Sequence, residues 1–234
     1  MKRLSHGHEL LDGPLDDALL AGNLRDLARF NRLLGGAGLS WRAVSHLLAT
    51  SPAADPVTVL DVGTAGAEVP LALVRRARRQ GRQLAVEGLD TRPEIVAAAT
   101  RATVDEPCVK VHLTTPPRLP HDDGSFDIAH VSLVIHHQEP ADARLLLGEL
   151  RRVARLGVIV NDLDRARRWW LAAWLLTRVA TANRYTRHDA PTSVRRAYTA
   201  AEVRQMAAAV GLREARHFRD VLGHRYALVL VRDS

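Results

Sequence analysis

The stretch Val59–Pro70 reads VLDVGTAGAEVP: an acid near the end of an apolar run, a turn of small residues, then the start of a helix. Small residues let a ligand lie against backbone amides, and the helix N-terminus that follows favours negative charge. Asp90 ends the next apolar run, 27 residues beyond Gly63, where a carboxylate can accept both hydroxyls of a ribose. His136 and His137 follow the fourth run, and an imidazole has the pKa of a base that works near neutral pH. Asn161 and Asp162 end the fifth, as substrate ligands or, for Asp162, as the cap of the next helix. A further group, NRYTRHDAPTSVRRAYT (Asn183–Thr199), sets His188 and Asp189 beside Arg187, Arg195 and Arg196. There a carboxylate could orient an imidazole, or the arginines could grip an acidic or phenolate molecule. The simpler alternative is an Asp189–arginine pair and a turn ended by Pro191. Trp169, Trp170 and Trp174 give either an apolar wall for a planar substrate or plain core and dimer contact. The catalytic candidates are therefore His136, His137, His188 and Asp189, and the substrate-binding candidates Asp162, Arg187, Arg195 and Trp170. No metal site is expected.

These residues need a scaffold that brings strand ends together. Val57–Val62, Leu84–Asp90, Cys108–Leu113, Phe126–Val131 and Leu156–Asp162 are short and mostly continuous apolar runs, the pattern of parallel strands buried on both faces. Between them Ala67–Gln80, Pro93–Val104 and Ala141–Val153 have helical spacing, with Pro93 and Pro140 at or just before helix starts. Repeated βα units with right-handed crossovers give an open α/β sheet. Ala200–Gly211 reads as a helix, and Arg213–Phe218 with Tyr226–Val231 as an antiparallel pair closing the sheet edge. Residues 1–50 read as a helical cap, 55–162 as the ligand-binding core, 163–198 as a lid insertion and 199–234 as the closing helix and hairpin. The lid reads as a helix over Arg165–Ala182 and a polar segment over Asn183–Ala197, too long for an ordinary connection.

A chain of 234 residues with 47% hydrophobic and 25% charged residues is long enough to bury a core and is not disordered in bulk. One cysteine, Cys108, excludes a disulfide scaffold and a cysteine-based zinc cluster. No signal-like apolar region follows the charged first residues, and Trp169–Thr177 is far too short to span a bilayer, so a cytoplasmic protein with no membrane partner is expected. The net charge of +7 invites a nucleic-acid reading. The basic residues are arginines spread along the whole chain, lysine occurring only at Lys2 and Lys110, so the charge reads as background composition.

The loop, the acidic second strand end and the ordered strands together resemble the class I S-adenosylmethionine-dependent methyltransferases, over about Val57–Asp162 plus the closing hairpin. The stretch LPHDDGSFDIAHVSLVIHHQEP (Leu119–Pro140) is similar to the fourth-strand region of many small-molecule methyltransferases. A nicotinamide-binding Rossmann domain is the competitor; the shortage of glycines and the antiparallel last pair count against it. The resemblance implies a Rossmann-like, mostly parallel sheet and S-adenosylmethionine as cofactor, with S-adenosylhomocysteine as product. It puts cofactor contacts on Asp61, Gly63, Thr64, Ala65, Asp90, Thr91, Thr115, Ser132 and, through the Asn31–Gly36 segment, Arg32. Two departures stand out. Ala65 and Ala67 replace loop glycines, so each methyl narrows the approach or requires φ < 0 there. Thr115 stands where many relatives carry an acid.

The function expected is methylation of oxygen or acidic carbon on a small natural-product-like molecule of secondary metabolism, by in-line displacement with a histidine as base. The alternatives are a methyltransferase fold that no longer methylates, serving as a cyclase or binding module, and a nucleic-acid methyltransferase. No Asn-Pro-Pro-Tyr-like motif follows the fourth strand, which disfavours the last. A homodimer is one assembly such a chain could form.

Overall fold

The computed structural model describes residues 1–50, 55–115 and 117–233. Seven strands form one sheet: β1 (Val57–Val62), β2 (Leu84–Asp90), β3 (Val109–Leu113), β4 (Phe126–Ser132), β5 (Ala154–Leu163), β6 (Leu212–Arg219) and β7 (Arg225–Arg232), in the order β3-β2-β1-β4-β5-β7-β6. The first five are parallel and β7 runs antiparallel to both β5 and β6. The helices are α1 (Asp17–Leu33), α2 (Gly36–Thr50), α3 (Glu68–Arg79), α4 (Pro93–Ala102), α5 (Pro140–Val153), α6 (Arg167–Ala180), α7 (Arg184–Arg196) and α8 (Ala200–Ala208). Strands and core helices fall within two or three residues of the ends read from sequence.

Alternation along the strands feeds two apolar layers. Val57, Val59, Ile128, Ile159, Ala227 and Val229 face α2 and α3, packing on Leu39, Val44, Leu47, Leu73 and Val74. Leu60, Val62, Val131, Val158, Val160, Tyr226 and Leu228 face α5 and α8, packing on Leu147, Leu150, Val203 and Met206. A Rossmann-type sheet with both faces covered is the result.

Two regions differ from the sequence expectation. Residues 1–16 are not part of a helical cap. They form an irregular strap with one 3-10 turn, Leu10–Asp12, and helix α1 begins only at Asp17. The Asn183–Ala197 segment is a helix, α7, with Pro191 inside it rather than ending a turn. Asn183 caps it by accepting the Thr186 amide at 3.1 Å. Its buried face is Tyr185, Thr186, Asp189, Ser193, Val194 and Arg196, at helical spacing but largely polar. Those polar groups hold the strap: Asp189 accepts the Leu10 and Leu11 amides at 2.7 and 3.1 Å, and the Tyr185 hydroxyl accepts the Asp16 amide at 2.9 Å. Periodicity of apolar residues cannot register a helix whose buried face binds backbone. Among the described residues no helix is long and apolar enough to cross a membrane.

Candidate active site

Strand order reverses between β1 and β4, the place where open α/β sheets bind ligands beyond their carboxyl strand ends. A cavity of about 920 Å³ lies there. Its floor is Asp61, Gly63, Thr64 and Ala65 after β1, Asp90 and Thr91 after β2, and Ser132, Leu133 and Val134 after β4; its roof includes Trp169, Ala172, Ala173 and Leu176 of α6.

The loop after β1 runs in the left-handed region at Gly63 (φ +73°), Ala65 (φ +48°) and Ala67 (φ +59°). The alanines thus take the conformation that glycines would supply, against the expected φ < 0, at a cost of about 1–2 kcal/mol each. A Cβ on Gly63 would stand 2.3 Å from Val134 Cγ2, so no other residue fits. Asp90 accepts the Ala65 amide at 3.2 Å and the Arg92 amide at 3.2 Å, which fixes its carboxylate on the cavity wall. Burial raises the Asp90 carboxyl above its usual range, and those amides only partly offset it. Asp61 accepts a 2.6 Å hydrogen bond from His130 Nδ1, and the opposite nitrogen accepts the Ser40 hydroxyl at 2.8 Å. Asn161 completes this tie by donating to Ser40 Oγ and to the Gly36 carbonyl.

A second polar wall is built from distant parts of the chain. Asn31 donates to Glu68 at 2.6 Å and accepts from Arg225 at 2.6 Å; Arg225 also donates to Ser132. Arg225 is buried, lines the cavity and leaves its Nε without a hydrogen-bond partner among the described residues. Burial pushes the Glu68 carboxyl up and the Arg225 guanidinium down.

At the far end, the 3-10 turn Ile135–His137 presents both imidazoles. His136 Nδ1 donates to Asp162 Oδ1 at 2.7 Å and its amide to Oδ2 at 3.2 Å. Burial alone would raise Asp162; His136, the Leu163 amide and Arg225 together outweigh it and hold the carboxyl below its usual range. His137 Nδ1 stands 3.3 Å from Asp12 Oδ1. Opposite both lies Glu9, whose carboxyl burial pushes up to about 7 although His137 and Arg196 pull it back.

The sequence-expected residues divide cleanly. Asp61, Gly63, Thr64, Ala65, Asp90, Thr91, Ser132, His136, His137 and Asp189 line the cavity. Asp162 is fully buried behind His136 and neither caps a helix nor reaches the cavity. Arg32 is exposed, and its neighbour Asn31 faces inward instead. Thr115 is exposed, whereas buried Thr114 lines the cavity. His188 points to solvent and donates to Asp189 at 2.7 Å, so this pair anchors the strap rather than forming a base at the cavity. Arg187 donates to the Thr181 and Arg178 carbonyls, tying α6 to α7. Arg195 and Trp170 line a separate shallow depression with Met1 and Lys2; Trp169 is the tryptophan in the cavity wall. Glu9, Asp12, Asn23, Asn31, Glu68 and Arg225 line the cavity without having been singled out. Nothing in the local sequence marks Glu9, Asp12 and Arg225, because only the strap and the antiparallel β7 carry them there.

Residues 59–157 match the family model described as a methyltransferase domain. A curated relative, an uncharacterized 37.1 kDa protein in transposon TN4556 of Streptomyces fradiae, is 42% identical over 73 residues, and the match spans 31% of this chain and a fifth (20%) of that protein. Among solved structures, an S-adenosylmethionine-dependent methyltransferase of Aquifex aeolicus aligns with a TM-score of 0.63 at 19% identity, over 93% of this chain and 100% of its own. A Nostoc punctiforme protein described as an O-methyltransferase gives 0.66 at 13%, over 97% and 64%. The pyocyanin biosynthetic protein PhzM gives 0.57 at 16%, over 83% and 55%. The chain has the class I S-adenosylmethionine-dependent methyltransferase fold, with the matching domain at its core.

Proposed function

We propose that this protein uses S-adenosylmethionine to methylate oxygen or acidic carbon on a small, largely apolar molecule. One observation carries the reading: a single cavity joins the Gly63–Asp90 strand ends to the His136–His137 turn beneath an apolar lid. The residues present fit the cofactor. Asp90 offers a fixed carboxylate with lone pairs to spare for two ribose hydroxyls. Arg225, buried beside Asn31 and short of one partner, is suited to the methionine carboxylate, in place of the cofactor contact expected at Arg32. Thr114 lines the cavity in place of Thr115, the cofactor contact expected from sequence. When bound, the cofactor supplies a methyl group on a sulfonium.

The chain's own residues do the rest by position. Leu145, Leu146, Trp169, Ala172, Ala173 and Leu176 give the acceptor an apolar enclosure that excludes water. Holding two reactants in line is worth effective molarities of about 10⁵–10⁸ M. Because Nδ1 of His136 is committed to Asp162, its Nε2 is left as a lone pair toward the cavity, able to accept a hydroxyl proton. Arginines such as Arg152, Arg165, Arg204 and Arg219 are engaged in ion pairs, and the site is a cavity rather than a groove; both favour a small acceptor over nucleic acid. Isothermal titration with S-adenosylmethionine tests the reading: binding at one site is expected, and no heat at high micromolar concentration would remove it.

A further inference from the structure

Three proton acceptors converge at the end of the cavity, with no hydrogen bond between them. His136 Nε2 lies 3.8 Å from Glu9 Oε1, and His137 Nε2 lies 3.7 Å from Glu9 Oε2. Each imidazole has its other nitrogen against a carboxylate: His136 Nδ1 on Asp162 at 2.7 Å, His137 Nδ1 near Asp12 at 3.3 Å. A carboxylate accepts and cannot donate, so in a neutral ring the proton belongs on Nδ1 and Nε2 is a lone pair. Glu9 is 4% exposed and its Oε1 has no hydrogen-bond partner among the described residues. Arg196, the nearby cation, stands 3.7 Å from that oxygen and is engaged instead by Asp12 at 2.8 Å and the His137 carbonyl at 2.6 Å. The two imidazole edges and the Glu9 carboxyl thus face one another across 3.7–3.8 Å without a hydrogen bond, a gap that an ion held by all three would fill.

We propose that Glu9, His136 and His137 bind one divalent transition-metal ion, of the zinc or cobalt class, at the acceptor end of the cavity. One ligand atom from each lies within 4.8 Å of the others. With bonds of about 2.0–2.2 Å, tetrahedral ligands stand about 3.3–3.6 Å apart, so the two nitrogen–oxygen spacings of 3.8 and 3.7 Å need to close by only a few tenths of an ångström around the ion. Two nitrogens and one carboxylate oxygen suit these metals. Asp162 and Asp12 occupy the place of the carboxylates that orient metal-bound histidines in known sites. All three ligands line the cavity, so three protein ligands leave a coordination position open to it, the arrangement of a catalytic rather than a structural site. The acceptor class follows: a hydroxyl, phenol or enol whose oxygen fills that position and is acidified by the ion, its proton passing to water. This inference rests on the proposed methyl transfer for the acceptor, and it replaces direct proton removal by His136.

The test is titration of untagged, chelator-dialysed protein with cobalt(II) chloride, read by visible absorption, and with zinc(II) chloride by calorimetry. One equivalent and a cobalt band of low coordination number are expected. Glu9→Gln and His137→Ala are each expected to lower affinity by about 10-fold or more, by analogy with the loss from altered metal shells. His112→Ala, at an exposed position outside the cavity lining, is expected to change nothing. S-adenosylmethionine binding by every variant checks that each folds. Absence of the band, or a band indifferent to Glu9→Gln and His137→Ala, overturns the site while leaving cofactor binding intact. Cobalt bound through Glu9 in a protein that ignores S-adenosylmethionine would instead uphold the site and defeat the methyltransferase reading.

Discussion

His136 and Asp162 are joined twice, through the imidazole Nδ1 at 2.7 Å and the His136 amide at 3.2 Å, so one carboxylate sets both the ring's orientation and its tautomer. Asp162→Asn keeps the shape but offers an amide that can donate to Nδ1 and move the ring proton to Nε2. Turnover is then expected to fall by about 10²-fold or more, with S-adenosylmethionine affinity unchanged. Nitrogen-15 NMR of the imidazole reads the tautomer directly. An unchanged Nδ1–H signal in the variant would show that Asp162 does not control it.

Ala65 holds φ +48° while only partly buried. Glycine there avoids a left-handed penalty of about 1–2 kcal/mol and adds an unfolded-state entropy cost of about 0.5–1 kcal/mol. Ala65→Gly is therefore expected to stabilise the fold by up to about 1 kcal/mol, measured by urea unfolding. A destabilised variant would show that the methyl group makes contacts worth more than the strain.

In the proposed site Asp90 would hold a ribose best as a carboxylate. Burial raises its pKa above 3.8, so protonation, and with it loss of cofactor affinity, is expected to begin at a higher pH than for an ordinary aspartate. Calorimetric titrations across the acid range of the folded protein should show affinity falling with pH. Asp90→Asn should bind about 10-fold or more weakly at neutral pH, the loss of charged hydrogen bonds, and should lose the pH dependence. A variant with the wild-type profile would place the titrating group elsewhere.

Arg152 fastens the loop before β4 to α5. Its guanidinium reaches Glu149, Asp123 and the Leu119 and His121 carbonyls at 2.7–3.1 Å, and Leu119 lines the cavity. Arg152→Ala is expected to cost about 1–3 kcal/mol. The hydrogen bond from Arg152 holds the Glu149 carboxyl below its usual 4.5. Its contribution is present above that pH and disappears as pH falls through the lower folded value. Unfolding midpoints followed from neutral pH downward should therefore show a shallower acid loss in the variant than in the wild type.

The sheet was legible because its core strands are short and mostly apolar runs, β1 followed by Gly63 and β2 ending on Asp90. β1 and β2 match the runs Val57–Val62 and Leu84–Asp90 residue for residue. The loop after β1 and Asp90 were legible for a related reason: a parallel strand end and its turn have their chemistry in consecutive residues.

Elsewhere the expectation missed by one residue. Asn31 faces inward where Arg32 was read, Thr114 where Thr115 was, and Trp169 where Trp170 was. Of His188 and Asp189, both singled out from sequence, only Asp189 lines the cavity. Composition and periodicity locate an element, but its rotation about its own axis is set by what packs against it, which short-range order does not show. Glu9, Asp12 and Arg225 lie beyond any local pattern, since the strap and the antiparallel β7 join the site from opposite ends of the chain. The sequence by itself determined the strands of the sheet and the carboxylate at Asp90, products of short-range apolar order. Only the tertiary structure decided that two carboxylate-held histidines meet a buried glutamate, because that meeting depends on long-range closure of the N-terminal strap over α7.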